Sequence, residues 1–345
     1  MSLVLPSTYR MRIDTEQTLT LRAPGRLHLG FLDPSASLGR RYGSVGLVVE
    51  GFETEVELSA ALAERITADT PDGNAQLERA GACLNILRAR TGHYGALHLR
   101  LLRVLPPHAG FGSGTQLALA IGRAFARWHR LDTSTATLAH WLGRGRRSGI
   151  GLHGFDHGGL LVDGGPGDDD QPAPLLARIA LPDAWRIVVV QDPRERGLAG
   201  HAEADAMAAL VPMPAERAAE ICHETLMRVL PGAAEARFER FAAGVTRIQQ
   251  LLGAHYAPAQ HGRPYTSAAV GRLLRAFADA ALIDAPVAIG QSSWGPTGFA
   301  IVASSAHALA LEAHAQRAGL IEPGLVLRTV AARNRGAEIV DARPR

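Results

Sequence analysis

Short apolar and alternating runs dominate the first third of the chain. Thr18 to Ala23, Val45 to Glu50 and Thr54 to Ala60 read as strands with one buried face. His98 to Pro106 has the same texture and is stopped by Pro106-Pro107. His108 to Trp128 opens on glycines and continues with apolar residues at helical spacing. Further helices are predicted over 75–91, 134–143, 201–255, 266–283 and 305–318. Trp185 to Pro193 reads as a buried strand. Ala285 to Ser304 reads as two strands around a glycine turn, and Leu325 to Ala332 as a last strand. Ser148 to Gly159 is predicted to be a glycine-rich loop before a strand from Leu160, and 165–174 a polar loop.

The texture changes near 180–185, from strands and glycine loops to alanine-rich helices. We therefore expect an N-terminal domain over 1–182 and a C-terminal domain over 183–345, both α+β with largely antiparallel sheets. A chain of 345 residues is long enough for two packed domains.

Composition narrows the chemistry. Hydrophobic residues make up 47% and charged residues 20%, a globular balance. All 36 basic residues are arginine, because the chain has no lysine. That excludes a Schiff-base lysine and a Walker-type phosphate lysine. A net charge of +3 is small for this length, so no nucleic-acid partner is expected. Cys83 and Cys222 are the two cysteines, too few for a disulfide framework or a zinc cluster. A reduced, cytoplasmic setting is expected. No apolar run reaches membrane-spanning length and the first residues lack a signal-peptide core, so no membrane partner is expected.

Three segments can carry chemistry. In the first, Gly110, Gly112 and Gly114 sit just ahead of a good helix, flanked by His108, Ser113, Thr115 and Gln116. Glycines allow turns that point successive N–H groups inward, and a helix start is partly positive, so the segment suits a phosphate. A plain structural turn is the competing reading. In the second, Ala23 to Asp33, Arg26 and His28 share a face if the strand continues. The third, Gly290 to Val302, offers Ser292, Ser293 and Thr297 in a tight turn, with Trp294 beside them. A simple hairpin would look the same. The run Asp168-Asp169-Asp170 reads as a solvated loop rather than a metal site, since successive side chains do not converge easily on one ion.

Taken in order, these segments resemble the GHMP kinase superfamily. Its first motif resembles Ala23-Pro24-Gly25-Arg26. Its phosphate loop matches Pro106 through Gly114, and its late glycine turn matches Gly290 to Gly298. The resemblance implies a two-domain GHMP-kinase-like fold: a strand-rich N-terminal domain and a ferredoxin-like C-terminal domain. One departure is informative. The kinases carry a catalytic aspartate in a Ser-Gly-apolar-Asp stretch before a Gly-Gly pair. Here Ser148-Gly149-Ile150 is followed by Gly151, which has no carboxylate. Asp156 can replace it only if the loop is threaded differently.

The strings around Gly110 to Gln116, Ser148 to His153 and Ser292 to Thr297 further resemble the branch of β-ribofuranosylaminobenzene 5′-phosphate synthases. That resemblance implies condensation of phosphoribosyl pyrophosphate with 4-aminobenzoate or 4-hydroxybenzoate, with loss of CO2 and pyrophosphate, in tetrahydromethanopterin biosynthesis. It also suggests a homodimer. Magnesium is expected only as the ion that travels with the pyrophosphate. Arg26, His28, His153 and Asp156 are the candidate catalytic residues. His108, Gly110, Gly112, Ser113, Gly114, Thr115, Gln116, Ser148, Gly149, Gly151, Ser292, Ser293, Trp294 and Thr297 are the candidates for phosphate or substrate binding. The usual phosphoribosyltransferase signature, an apolar strand with two acidic residues and a Thr-Gly loop, is not found. An ATP-dependent kinase and a non-catalytic phosphate-binding protein are the alternatives.

Overall fold

A computed structural model describes residues 17–167, 171–198, 200–279 and 284–343. The Asp168-Asp169-Asp170 run and the last residues of the helix expected over 266–283 lie outside the described residues. Two sheets organise the molecule. The first holds β1 (Thr18–Asp33), β2 (Tyr42–Ala60), β3 (Arg65–Ala68), β4 (Leu97–Arg103), β5 (Leu160–Asp163) and β6 (Leu175–Ile179). The second holds β7 (Arg186–Gln191), β8 (Ala288–Gln291), β9 (Gly298–Val302) and β10 (Val326–Val330). The final strand, β11 (Glu338–Asp341), returns to the first sheet and pairs antiparallel with β1.

The second sheet has the order β10-β7-β9-β8, with every pairing antiparallel. Helices lie between β7 and β8 and between β9 and β10. This is the β-α-β-β-α-β arrangement of a ferredoxin-like unit. The first sheet is antiparallel except for the β3–β4 pair, and helices Leu77–Thr91 and Ser113–Trp128 share a core with it.

The first two strands run longer than their alternation predicts. β1 does not stop at Ala23 but passes through Pro24 and Gly25 to Asp33. Bulges between Pro24 and Arg26 and between His28 and Gly30 absorb the break in period. The runs expected as separate strands at 45–50 and 54–60 are one strand, β2, which continues through Gly51 at φ 75°. The segment expected as a glycine loop, Ser148 to Gly159, is mostly a helix, Ile150–His157. Its glycines sit where neighbours press close: a Cβ on Gly154 would lie 2.9 Å from the Val48 side chain.

One core joins the two halves. Leu27, Phe111, Ile187, Phe241, Ile248 and Phe299 belong to a single buried cluster. The division at 182/183 falls between β6 and β7, but β11 crosses back over it. Arg333, 1% exposed, secures that crossing with ion pairs to Glu50, Glu53 and Glu338.

Candidate active site

The helix Ser113–Trp128 begins without a side-chain cap. Its Ncap, Gly112, stands at φ 77°, and no acidic residue lies in the first turn. Its first N–H groups are therefore offered to an outside acceptor. Two backbone hydrogen bonds help fix the loop before it. Arg26 N donates to Phe111 O at 3.2 Å, and Gly197 N donates to the carbonyl of exposed His108 at 3.0 Å. Phe111 is fully buried and stacked on Phe52. A Cβ on Gly110 would lie 2.6 Å from the Ser292 carbonyl, and one on Gly112 3.2 Å from the Arg26 guanidinium. Both glycines also hold positive φ, so any side chain would be strained there.

The three predicted segments meet at this loop. Ser292 Oγ donates to Gly110 O at 2.7 Å and accepts from His28 N at 2.9 Å. Ser293 N donates to His28 O. Arg26 Nη1 donates to the Gly110 carbonyl. Ser292 thus has both hydrogen-bonding roles engaged inside the protein. It closes the junction between the turn, the strand and the loop. Thr297 is buried with an unpartnered hydroxyl, and its carbonyl accepts from Ser292 N. Trp294 is buried and packs its ring against Tyr256, with centroids 4.5 Å apart.

Arg26 and His28 do share a face. The pairing with β2 is regular from Arg26 to His28, with the bulges on either side. Burial lowers the Arg26 guanidinium to about 10, so it stays a cation at neutral pH. The His28 ring is 3% exposed and has no partner on either nitrogen. Burial, then the Arg26 and Arg147 cations, hold it well below the usual imidazole range, so it is neutral at pH 7. Arg147 is paired with Glu203 at 2.6 Å. Burial raises the Glu203 carboxyl, opposed by the Arg147 and Arg26 charges.

Several candidates stand elsewhere. Gly151 does face the helix mouth: its carbonyl accepts from Gln116 Nε2 at 2.9 Å, and a Cβ there would lie 3.0 Å from the Thr115 methyl. At 100° per residue, His153 and Asp156 then point to other sides of the same helix. His153 Nε2 bonds Ala173 O at 2.8 Å, and exposed Asp156 accepts from Thr135 Oγ1 at 2.6 Å. Thr135 is held by Arg123, ten residues beyond Ser113, hence about 15 Å along the helix from its mouth. Neither residue reaches the loop, because the segment carrying them is a helix and not the loop expected. Ser148 and Gly149 are tied to Asp163, whose buried carboxylate accepts from Ser148 Oγ at 3.1 Å and from Gly149 N at 2.8 Å. They brace the start of the helix Ile150–His157 rather than opening toward the mouth.

Two cations at the mouth escaped the sequence reading. Gly114 has Arg79 Nη1 and Arg144 Nη1 3.4 and 3.6 Å from where a Cβ would stand. Arg144 also lines a cleft of about 400 Å³ with His140 and Arg146. Among the described residues, no three or more His, Cys, Asp or Glu side chains converge to hold a metal. No helix among them is long and apolar enough to cross a membrane.

Residues 78–160 match the GHMP kinases N terminal domain. Among solved structures, the fold is similar to a homoserine kinase of Cytophaga hutchinsonii. Its TM-score is 0.67 at 14% identity, covering 98% of this chain and all of that one. It is equally similar to a mevalonate diphosphate decarboxylase of Staphylococcus aureus, with TM-score 0.67 at 14% identity, covering 94% and 98%. Two curated relatives are named beta-ribofuranosylphenol 5′-phosphate synthase. That of Archaeoglobus fulgidus is 36% identical over 93% of this chain and 99% of its own length. That of Methanothermobacter thermautotrophicus is 29% identical over 93% and 98%. The chain, GHMP-kinase-like in fold, belongs to the beta-ribofuranosylphenol 5′-phosphate synthase family.

Proposed function

We propose that this protein joins phosphoribosyl pyrophosphate to 4-hydroxybenzoate or 4-aminobenzoate, releasing CO2 and pyrophosphate, as a step of tetrahydromethanopterin biosynthesis. The relatives' names describe a phenol product, which favours the 4-hydroxy acid. The observation that carries the reading is the uncapped helix mouth at Gly112 to Gly114 beside Arg26, with Gly151 where a phosphotransfer kinase needs a carboxylate.

In this reading the mouth holds the pyrophosphate of the donor, with magnesium arriving as part of that substrate. Arg79 and Arg144 add charge on the Gly114 side. The anomeric carbon–oxygen bond breaks as negative charge grows on the leaving pyrophosphate. Arg26, pressed against Gly112, stabilises that charge. The ring carbon bearing the carboxylate forms the new carbon–carbon bond. The bond from that carbon to the carboxylate then breaks and leaves its electron pair in the ring, which restores aromaticity as CO2 departs, so no base is needed at that carbon. The need for a base lies at the para substituent. Neutral His28 suits it as a hydrogen-bond acceptor, because an imidazole with a free lone pair draws density toward the hydroxyl or amine proton without itself becoming charged.

An acid-dependent release of pyrophosphate tests this against the kinase alternative. Folded protein, magnesium and phosphoribosyl pyrophosphate should release pyrophosphate only when the aromatic acid is added. ATP in its place should give no ADP. ADP formation without pyrophosphate release would overturn the reading.

A further inference from the structure

Behind His28 lies a small cavity of about 30 Å³ lined by Phe31, Leu252, Tyr256, Gln260 and Trp294 among others. Two polar groups in its wall are buried and lack any partner: the His28 ring nitrogens and the Tyr256 hydroxyl. Buried polar groups left unsatisfied are rare and costly, and two in one cavity point to a polar group that completes them. The space is close to that of one water-sized group, far short of a benzene ring. An aromatic ring therefore cannot enter, but a single substituent on it can.

The position of the cavity fits that end-on arrangement. His28 follows Arg26 on the same face of β1, and alternate residues of a strand lie about 6.6 Å apart. That is close to the span of a para-substituted benzoate from its substituent to its carboxyl carbon. A substituent seated between His28 and Tyr256 thus leaves the carboxylate on the Arg26 side, facing the Gly110 to Gly114 loop, with the carboxyl-bearing carbon one bond behind it. The connection is short: His28 N and Gly110 O both bond the one hydroxyl of Ser292.

We propose that the cavity between His28 and Tyr256 is the specificity determinant for the aromatic substrate: it admits a para hydroxyl or amino group and excludes a bulkier one. Tyr256 is a binding residue in this role, meeting the substituent through its hydroxyl. The proposal rests on the aromatic-acid reading above and adds the rule by which the acid is chosen.

The test compares 4-hydroxybenzoate, 4-aminobenzoate and 4-(dimethylamino)benzoate. The dimethylamino group activates the ring at least as strongly but brings no N–H to His28, so the Leu252→Ala variant below is what shows that its rejection is steric. Its kcat/KM should be at least about 100-fold below that of the better natural-type acid. Tyr256→Phe should raise the KM for that acid about 10-fold without moving the KM for phosphoribosyl pyrophosphate. Its Tm should equal or exceed that of the wild type, because an unpartnered hydroxyl is removed. Leu252→Ala should widen the cavity and recover part of the dimethylamino activity. Binding of each acid, with and without phosphoribosyl pyrophosphate, is followed in parallel by tryptophan fluorescence, since Trp294 lines the cavity. Equal use of the dimethylamino acid, or an unchanged acid KM in Tyr256→Phe, would overturn the proposal while the reaction stands. Size-selective binding with no pyrophosphate released would overturn the reaction while the cavity stands.

Discussion

The Gln116 side chain reaches across to Gly151 and donates to its carbonyl at 2.9 Å, fully buried. With the Thr115 methyl 3.0 Å from where a Cβ would stand, the space beside Gly151 is filled from the helix Ser113–Trp128. Gly151→Asp should therefore cost stability by overpacking, about 1–3 kcal/mol, and confer no phosphoryl transfer from ATP. Thermal unfolding and an ADP assay check this. A stable variant that makes ADP would show that only a carboxylate was missing.

Gly112 is constrained twice, by a left-handed backbone and by the Arg26 guanidinium. Gly112→Val should cost about 1–2 kcal/mol of stability from the backbone alone. It should also abolish saturable binding of phosphoribosyl pyrophosphate. Titration calorimetry with the folded variant reads the second effect directly, and wild-type affinity would remove the loop from the site.

Arg26→Gln keeps a hydrogen-bond donor for the Gly110 carbonyl but removes the charge facing the leaving group. We expect kcat to fall about 10²–10³-fold, the range for losing one preorganised electrostatic contact. Asp156→Asn should change kcat/KM little, because its partner is Thr135, far along the helix from the mouth. Steady-state kinetics on the pair separates the two positions. Equal losses in both would contradict the site as drawn.

The burial of His28 has a pH signature. Its folded value lies below the ordinary 6.5, from desolvation first and the Arg26 and Arg147 charges second. On acidification the unfolded chain takes up a proton at this ring before the folded one does. Stability should therefore fall as pH drops below about 6.5 toward the folded value. His28→Gln should flatten that loss in denaturant unfolding between about pH 7 and pH 5. Part of the slope should persist, since His129 is likewise lowered, to about 4, mainly by burial. A slope identical to the wild type would mean that His28 is not buried as a neutral ring.

The glycine loop and the two segments that meet it were legible as geometry because glycines ahead of a helix, and an Arg-x-His on a strand, state their conformation locally. Other parts were not. The bulges that carry β1 past Pro24 break the alternation that marks a strand. The helix Ile150–His157 carries glycines for close packing, and those same glycines imitate a loop. Reading it as a loop misdirected His153 and Asp156. Arg79, Arg144 and Tyr256 lie far along the chain from the loop motif in helices or turns of ordinary composition. Only the fold brings them to the mouth or the cavity. Asp163, which anchors Ser148 and Gly149, sits at the end of a buried strand with no local sign of that task.

The most direct measurement follows the carboxyl carbon. With 4-hydroxybenzoate labelled in that carbon, the account predicts labelled CO2 and pyrophosphate in a one-to-one ratio, and a ribosylated phenol that has lost the label. Pyrophosphate without labelled CO2, or a product that keeps its carboxylate, would contradict it.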